Sequence, residues 1–251
     1  MKIVRFVYQG QTGYGIVDGT SVRALEGDLY GDKIAGPVVA PVADIRPLAP
    51  VLPSKIICIG LNYRDHAAEI GTPLPESPLI FLKPPSAVIG PGSKIVYPPM
   101  SQLVHHEAEL AVIIGREAKN VTREQALDYV LGYTCTNDVT ARDIQRAQKH
   151  NTLSKAFDTF LPMGPIIATD LDPDHLRVRA RVNGEVRQDS NTSNLVFNAA
   201  YLVSYLSQVM TLLPGDVIST GTPAGVGPLV PGDEVEIEVE GIGILRNTVV
   251  R

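Results

Sequence analysis

His105-His106-Glu107-Ala108-Glu109-Leu110-Ala111-Val112-Ile113-Ile114-Gly115 is the stretch on which the fold turns. From Ala108 onward it is apolar without alternation, the pattern of a strand covered on both faces. Its entrance has the opposite chemistry. Side chains alternate along a strand, so Glu107 and Glu109 project from one face. Two carboxylates side by side repel, and at the mouth of a buried strand they also lose solvation. Either the strand end is frayed and the glutamates are solvated, or something positive sits between them.

A second apolar run, 132–138, ends on Cys135-Thr136-Asn137-Asp138. Asp138 sits just before a helical pattern and reads either as a helix cap or as a third carboxylate at a strand end. Three oxygen donors with no nearby cysteine suit a hard divalent ion, Mg²⁺ or Mn²⁺, which keeps positions open for water or ligand oxygens. Zinc is the alternative, because His105 shares the glutamate face by strict alternation and His106 adjoins it.

Working outward, further strands are expected at 2–8, 13–17, 20–24, 55–59, 79–83, 94–97, 164–168, 177–182, 216–220, 234–240 and 243–250. Helices are fewer: a short polar one over 65–70, one opened by a Thr122/Gln125 capping box and running to Val130, one over 140–149, and one over 198–208 with an apolar stripe at 199, 202, 203, 206 and 209. The Pro-rich stretch 36–53 reads as a linker closing a small N-terminal β unit, and 71–78 as a loop with little to bury. Strands outnumber helices and do not alternate with them. The expected fold is therefore mostly β (α+β), antiparallel or mixed, with a small N-terminal β domain over 1–50 and a larger domain over 51–251.

Composition excludes several classes. The chain has 251 residues, 44% of them hydrophobic, enough to bury a sizeable core. A formal net charge of -5 gives no bulk attraction for nucleic acid or anionic membrane. There is no apolar run of membrane-spanning length and no signal-peptide pattern, so a cytoplasmic location is expected. Cys58 and Cys135, each in an apolar run, read as buried reduced thiols.

Three further features carry chemistry. His66 and Glu69 lie three apart on a helical turn, so the carboxylate can fix the imidazole's tautomer and raise its basicity, as proton transfer needs. A surface ion pair is the plainer reading of that spacing. Lys155 stands in the apolar setting Leu153-Ser154-Lys155-Ala156-Phe157. Gly221-Thr222-Pro223-Ala224-Gly225-Val226-Gly227 allows close backbone approach to a ligand but lacks dinucleotide or phosphate-loop spacing.

Together, IGLNYRDHAAEIG (59–71), HHEAELAVIIG (105–115), NDVTARDIQ (137–145), KAFDTFLPMGP (155–165), VNGEVRQ (182–188) and GDVISTGTPAGVGP (215–228) resemble the fumarylacetoacetate hydrolase family in order and spacing. The resemblance implies a mixed β-roll, a homodimer, and Mg²⁺ or Mn²⁺ held by Glu107, Glu109 and Asp138. It implies a lid carrying His66 and Glu69, Lys155 near the substrate, Thr222 at the substrate carboxylate, and Arg142 and Gln145 facing the pocket. The implied substrate is a small 2-oxo acid. Stabilising its enolate serves hydrolysis of an acylpyruvate, decarboxylation of oxaloacetate, or isomerisation of a hydroxymuconate-type diene. Two positions depart from the pattern: Leu61 stands where some acylpyruvases carry arginine, and His150-Asn151-Thr152 where many relatives carry a tryptophan. Readings of other classes are a non-catalytic metal-binding scaffold, which would lack His66, Glu69 or Lys155, and a non-heme iron oxygenase, which would want two histidines and one carboxylate.

Overall fold

The computed structural model describes residues 1–148 and 151–251. Lys149, the last residue of the helix expected over 140–149, and His150 lie outside the described residues.

The strand Ala108–Ile114 is buried at every position. Leu110, Val112 and Ile114 join one core cluster with Tyr133, Cys135, Val178, Ile237 and Leu245. Ala111 and Ile113 point the other way, into a second cluster with Ile3, Ile56, Cys58, Leu161 and Val217. Two cores, one on each face, explain why the run shows no alternation. On one side the strand pairs antiparallel with Val130–Asn137, Glu109 opposite Thr136, and on the other with Val217–Ser219.

Among the described residues the large sheet runs in the order Lys33–Pro41, Ser21–Gly27, Gln11–Asp18, Lys2–Tyr8, Leu161–Ala168, Val130–Asn137, Ala108–Ile114, Val217–Ser219, Ile56–Gly60, Leu79–Lys83. The N-terminal strands continue it through Lys2 opposite Ala168. A second sheet, Glu185–Asn191, Arg177–Val182, Glu234–Val239, Gly243–Val250 and Lys94–Val96, shares the first core cluster. A third small sheet joins Val104–His106 to Thr140–Ala141 and Gly227–Leu229. Most pairs are antiparallel; Val217–Ser219 with Ile56–Gly60 is parallel. The architecture is the expected mixed, mostly β one.

Local expectations fail in instructive places. The stretch read as a Pro-rich linker, 36–53, overlaps the second half of the strand Lys33–Pro41 and contains the short strand Arg46–Pro47. Lys33–Pro41 is an outer strand of the sheet, where proline's missing N–H costs no ladder bond. The helix expected from Thr122 to Val130 is a single 3-10 turn, Ala126–Tyr129, because the chain must already be extended at Val130. Thr140–Ala141 is a strand, so the next helix is Arg142–Gln148. Asn183-Gly184, a strong hairpin signal, joins Arg177–Val182 to an additional strand, Glu185–Asn191. The helix Ala199–Val209 forms as expected, with Asn198 accepting the Tyr201 N–H at 3.1 Å as its cap.

Candidate active site

Glu107 lies between two strands that belong to different sheets, Val104–His106 and Ala108–Ile114. Asn137 Oδ1 accepts its N–H at 2.9 Å, and its carbonyl accepts the Asp138 N–H at 2.9 Å. These bonds tie the two strand ends together. Oxygens of Glu107, Glu109 and Asp138 come within 4.8 Å of one another, and all three residues are buried.

Cations meet two of the three. Lys155 Nζ donates to Glu107 Oε2 at 2.8 Å and to Asp138 Oδ2 at 2.6 Å, and the Arg142 guanidinium pairs with the other Glu107 oxygen. Burial alone would raise the Glu107 carboxyl, but Lys155 and Arg142 outweigh it and hold it below the ordinary range. For Lys155, burial opposes the charge, and Asp138 with Glu107 overcomes it to hold the ammonium above its ordinary range. Lys83, absent from the sequence-based set, donates to Asp138 Oδ1 at 2.6 Å with its side chain fully buried.

Glu109 differs. Its Oε2 accepts from Ser219 Oγ at 2.5 Å and from the Gly221 N–H at 3.0 Å. Among the described residues no cation pairs with it, and burial, then the charges on Asp138 and Glu107, push its carboxyl up to about 8. A buried carboxylate trio with one member lacking a counter-charge, and only oxygen donors, fits a hard divalent cation. It does not fit zinc held by imidazole. The change of sheet at Glu107 breaks the alternation that would carry His105 onto the glutamate face. His105 stays outside the cavity lining, with its imidazole pushed down to about 4 by burial and then by Arg142. His106 is fully buried against Gln188 instead.

These groups open onto a cavity of about 240 Å³, whose wall includes His66, Arg142, Gln145, Asn151 and Thr222 besides the trio and Lys155. Ile59, Leu61, Ile70, Leu79 and Phe81 form an apolar side. Arg142 Nη1 donates to Gln145 Oε1 at 2.6 Å, and Gln145 Nε2 donates to Asn151 Oδ1 at 2.8 Å. Leu61 takes a left-handed backbone, φ 51°, a strained conformation for a branched side chain, where the chain turns from its strand toward the helix Arg64–Glu69.

That six-residue helix brings His66 to the cavity. His66 Nδ1 lies 2.9 Å from Glu69 Oε2, while Glu69 Oε1 accepts the Gly225 N–H at 3.0 Å. Gly225 has φ +93°, and a Cβ there would meet the Arg187 carbonyl at 2.1 Å, so only glycine places this amide. The segment 62–78, which carries His66 and Glu69 and ends in the loop read as having little to bury, is well held in its first half. Buried Asn62 bonds the Phe197 N–H and the Thr220 carbonyl, and Asp65 accepts from Ser190 Oγ at 2.5 Å. Only 73–77 lacks internal hydrogen bonds among the described residues.

The nine residues singled out in the sequence thus converge: eight line the cavity and Glu69 backs His66. Lys83 and Gln188 were missed. Lys83 ends an otherwise apolar strand, LIFLK, and Gln188 is the one buried residue in the first five of Glu185–Asn191. A polar residue in the apolar register is the signal each offered.

Residues 55–250 match the family model described as fumarylacetoacetate (FAA) hydrolase C-terminal, and residues 1–50 match one described as Rv2993c-like, N-terminal. A mitochondrial oxaloacetate tautomerase of Bos taurus is 43% identical over 261 residues, spanning 99% of this chain and 79% of the relative. The crystal structure of 5-carboxymethyl-2-hydroxymuconate delta-isomerase from Mycobacterium smegmatis superposes with a TM-score of 0.92 at 47% identity, covering 100% of both chains. Maleylpyruvate hydrolase from Sphingobium sp. SYK-6 superposes with a TM-score of 0.83 at 33% identity, over 100% of this chain and 99% of that one. With most of its residues, 55–250, matched by that family model, the chain belongs to the fumarylacetoacetate hydrolase family.

Proposed function

We propose that the protein is a divalent-metal-dependent enzyme that carries a short 2-oxo carboxylic acid through an enolate and hydrolyses the C–C bond of an acylpyruvate. The observation that carries this reading is Glu109: a buried carboxyl with no paired cation among the described residues, beside two others, on the wall of a cavity that also receives a carboxylate-backed imidazole. Glu107, Glu109 and Asp138 would hold Mg²⁺ or Mn²⁺, which when bound supplies Lewis acidity toward a 2-oxo oxygen.

The chain's own residues do the rest. Formally the three carboxylates are balanced by Lys83, Lys155 and Arg142. A divalent ion and one ligand carboxylate then leave one positive charge unmatched, and the second negative charge of an enolate matches it. The site is therefore more complementary to the enolate than to the ground state, which is what acceleration requires. Lys155 and Arg142 supply that positive charge at the cavity wall. Glu69 orients His66 so that its Nε2 can take a proton from water, the step that hydrolysis needs. The apolar side at Ile59, Leu61, Leu79 and Phe81 accepts the acyl group.

A second reading, enol–keto tautomerisation or isomerisation of a 2-oxo diacid, is favoured by Arg142, which lines the cavity and can meet a second carboxylate. In that reading His66 moves a proton to or from C3, a C–H bond is made or broken there, and no C–C bond breaks. The test compares kcat/KM for acetylpyruvate, oxaloacetate and a hydroxymuconate-type diacid on Mn²⁺-loaded protein. Acetylpyruvate is expected to lead. A tenfold lead by either diacid, about 1.4 kcal/mol of transition-state binding, replaces hydrolysis with the second reading.

A further inference from the structure

Gln188 lies on a strand that is otherwise largely exposed, Glu185–Asn191, yet is only 1% exposed itself. Both ends of its amide are fully used. Oε1 accepts the Ala108 N–H at 2.9 Å and meets His106 Nδ1 at 3.1 Å. Nε2 donates to Thr222 Oγ1 at 2.8 Å and to the Pro223 carbonyl at 2.8 Å. The Ala108 N–H can only donate, so the amide has a single consistent orientation.

That orientation settles Thr222. Its hydroxyl accepts from Gln188, and its own hydrogen goes to the Ala108 carbonyl at 3.0 Å. No hydroxyl donor remains for a ligand. The preceding amide, Gly221 N–H, is committed to Glu109. The Thr222 N–H has no acceptor among the described residues, while Thr222 lines the cavity.

We infer that Gln188 is a positioning residue: with the Thr222 hydroxyl it forms a strut from the strand Ala108–Ile114 to the 221–226 loop, and this strut presents the Thr222 backbone amide as the donor that receives a ligand carboxylate. The inference rests on the proposed reading that the site takes a 2-oxo acid, with its carboxylate at Thr222 as the family resemblance implies. Gln188 touches no ligand, and its effect should fall on ligand affinity rather than on metal affinity.

The test is calorimetric titration of Mn²⁺, then of oxalate into Mn²⁺-saturated protein, for wild type, Q188E, T222V and the double variant. Q188E keeps the acceptor toward Ala108 and His106 and loses the donation to Thr222 and Pro223. T222V keeps the amide and the β-branched shape. Each single variant should bind Mn²⁺ within twofold of wild type and oxalate about three- to twelvefold more weakly, the range of one neutral hydrogen bond. Because both cut one strut, the double variant should be no worse than the weaker single variant. Wild-type oxalate affinity in Q188E, or losses that multiply in the double variant, overturn the strut. Should Q188E not fold, T222V decides alone: a loss beyond about twentyfold, with Mn²⁺ binding intact, puts the hydroxyl on the ligand and overturns the amide assignment. Wild-type protein that binds Mn²⁺ but not oxalate removes the underlying reading, and the inference with it.

Discussion

Replacing Glu109 by glutamine should make the metal-free protein more stable at alkaline pH. Glu109 is 1% exposed, and burial with the Asp138 and Glu107 charges pushes its carboxyl up to about 8. An unfolded glutamate titrates near 4.3. The folded state therefore holds a proton that the unfolded state releases. The stability this gives is complete below about pH 4 and is lost as pH rises through about 8. The full swing is about 5 kcal/mol at most, since each pKa unit is worth about 1.4 kcal/mol. Water entry and relaxation reduce it, so we expect Glu109→Gln to recover about 2 kcal/mol at pH 9, or about 4–8 °C for a chain of this size. The amide can still accept from Ser219 and Gly221, and its NH₂ faces two carboxylates as a donor. The assay is thermal unfolding in chelator at pH 5, 7 and 9. The two proteins should melt alike at pH 5 and separate at pH 9. Adding Mn²⁺ should reverse the order, because only wild type keeps all three ligands. A variant that melts at or below wild type at pH 9 in chelator would refute the reasoning.

Three other outcomes follow from the same geometry. His66→Ala should lose about 10²–10⁴-fold in turnover while binding Mn²⁺ and oxalate as wild type does; an unchanged rate would remove His66 as the base. Lys83→Met should cost about 3 kcal/mol or more in denaturant unfolding, the usual penalty for breaking a buried ion pair, and a loss under 1 kcal/mol would mean that Lys155 alone satisfies Asp138. Amide exchange should be faster over 73–77 than over Arg64–Glu69, and oxalate should slow it if the segment closes on the ligand; identical exchange with and without oxalate would contradict a lid.

Much of this molecule is legible in its sequence because its chemistry sits where patterns are strongest. The uninterrupted run after Glu109 announced a strand covered on both faces, and both cores exist. The carboxylates were found because each ends such a run. The zinc alternative fell because alternation holds only within one strand, and the chain changes sheets at Glu107. Lys33–Pro41 was hidden by its prolines, which signal a loop locally but are harmless at a sheet edge. The capping box at Thr122 was a sound local signal overridden by the strand that starts at Val130. Lys83 and Gln188 are defined by partners 55 and 34 residues away, Asp138 and Thr222, and no local window reports such pairs.

The central claim is that Glu107, Glu109 and Asp138 hold a divalent ion on which conversion of a 2-oxo acid depends. Its most direct test is turnover of acetylpyruvate and oxaloacetate by protein stripped with chelator, then resupplied with Mn²⁺ or Mg²⁺, in wild type and Glu109→Ala. Turnover should be negligible after stripping and recover in wild type with stoichiometric metal, and Glu109→Ala should show neither binding nor recovery. Full activity in the stripped protein, or undiminished metal binding by Glu109→Ala, would contradict it.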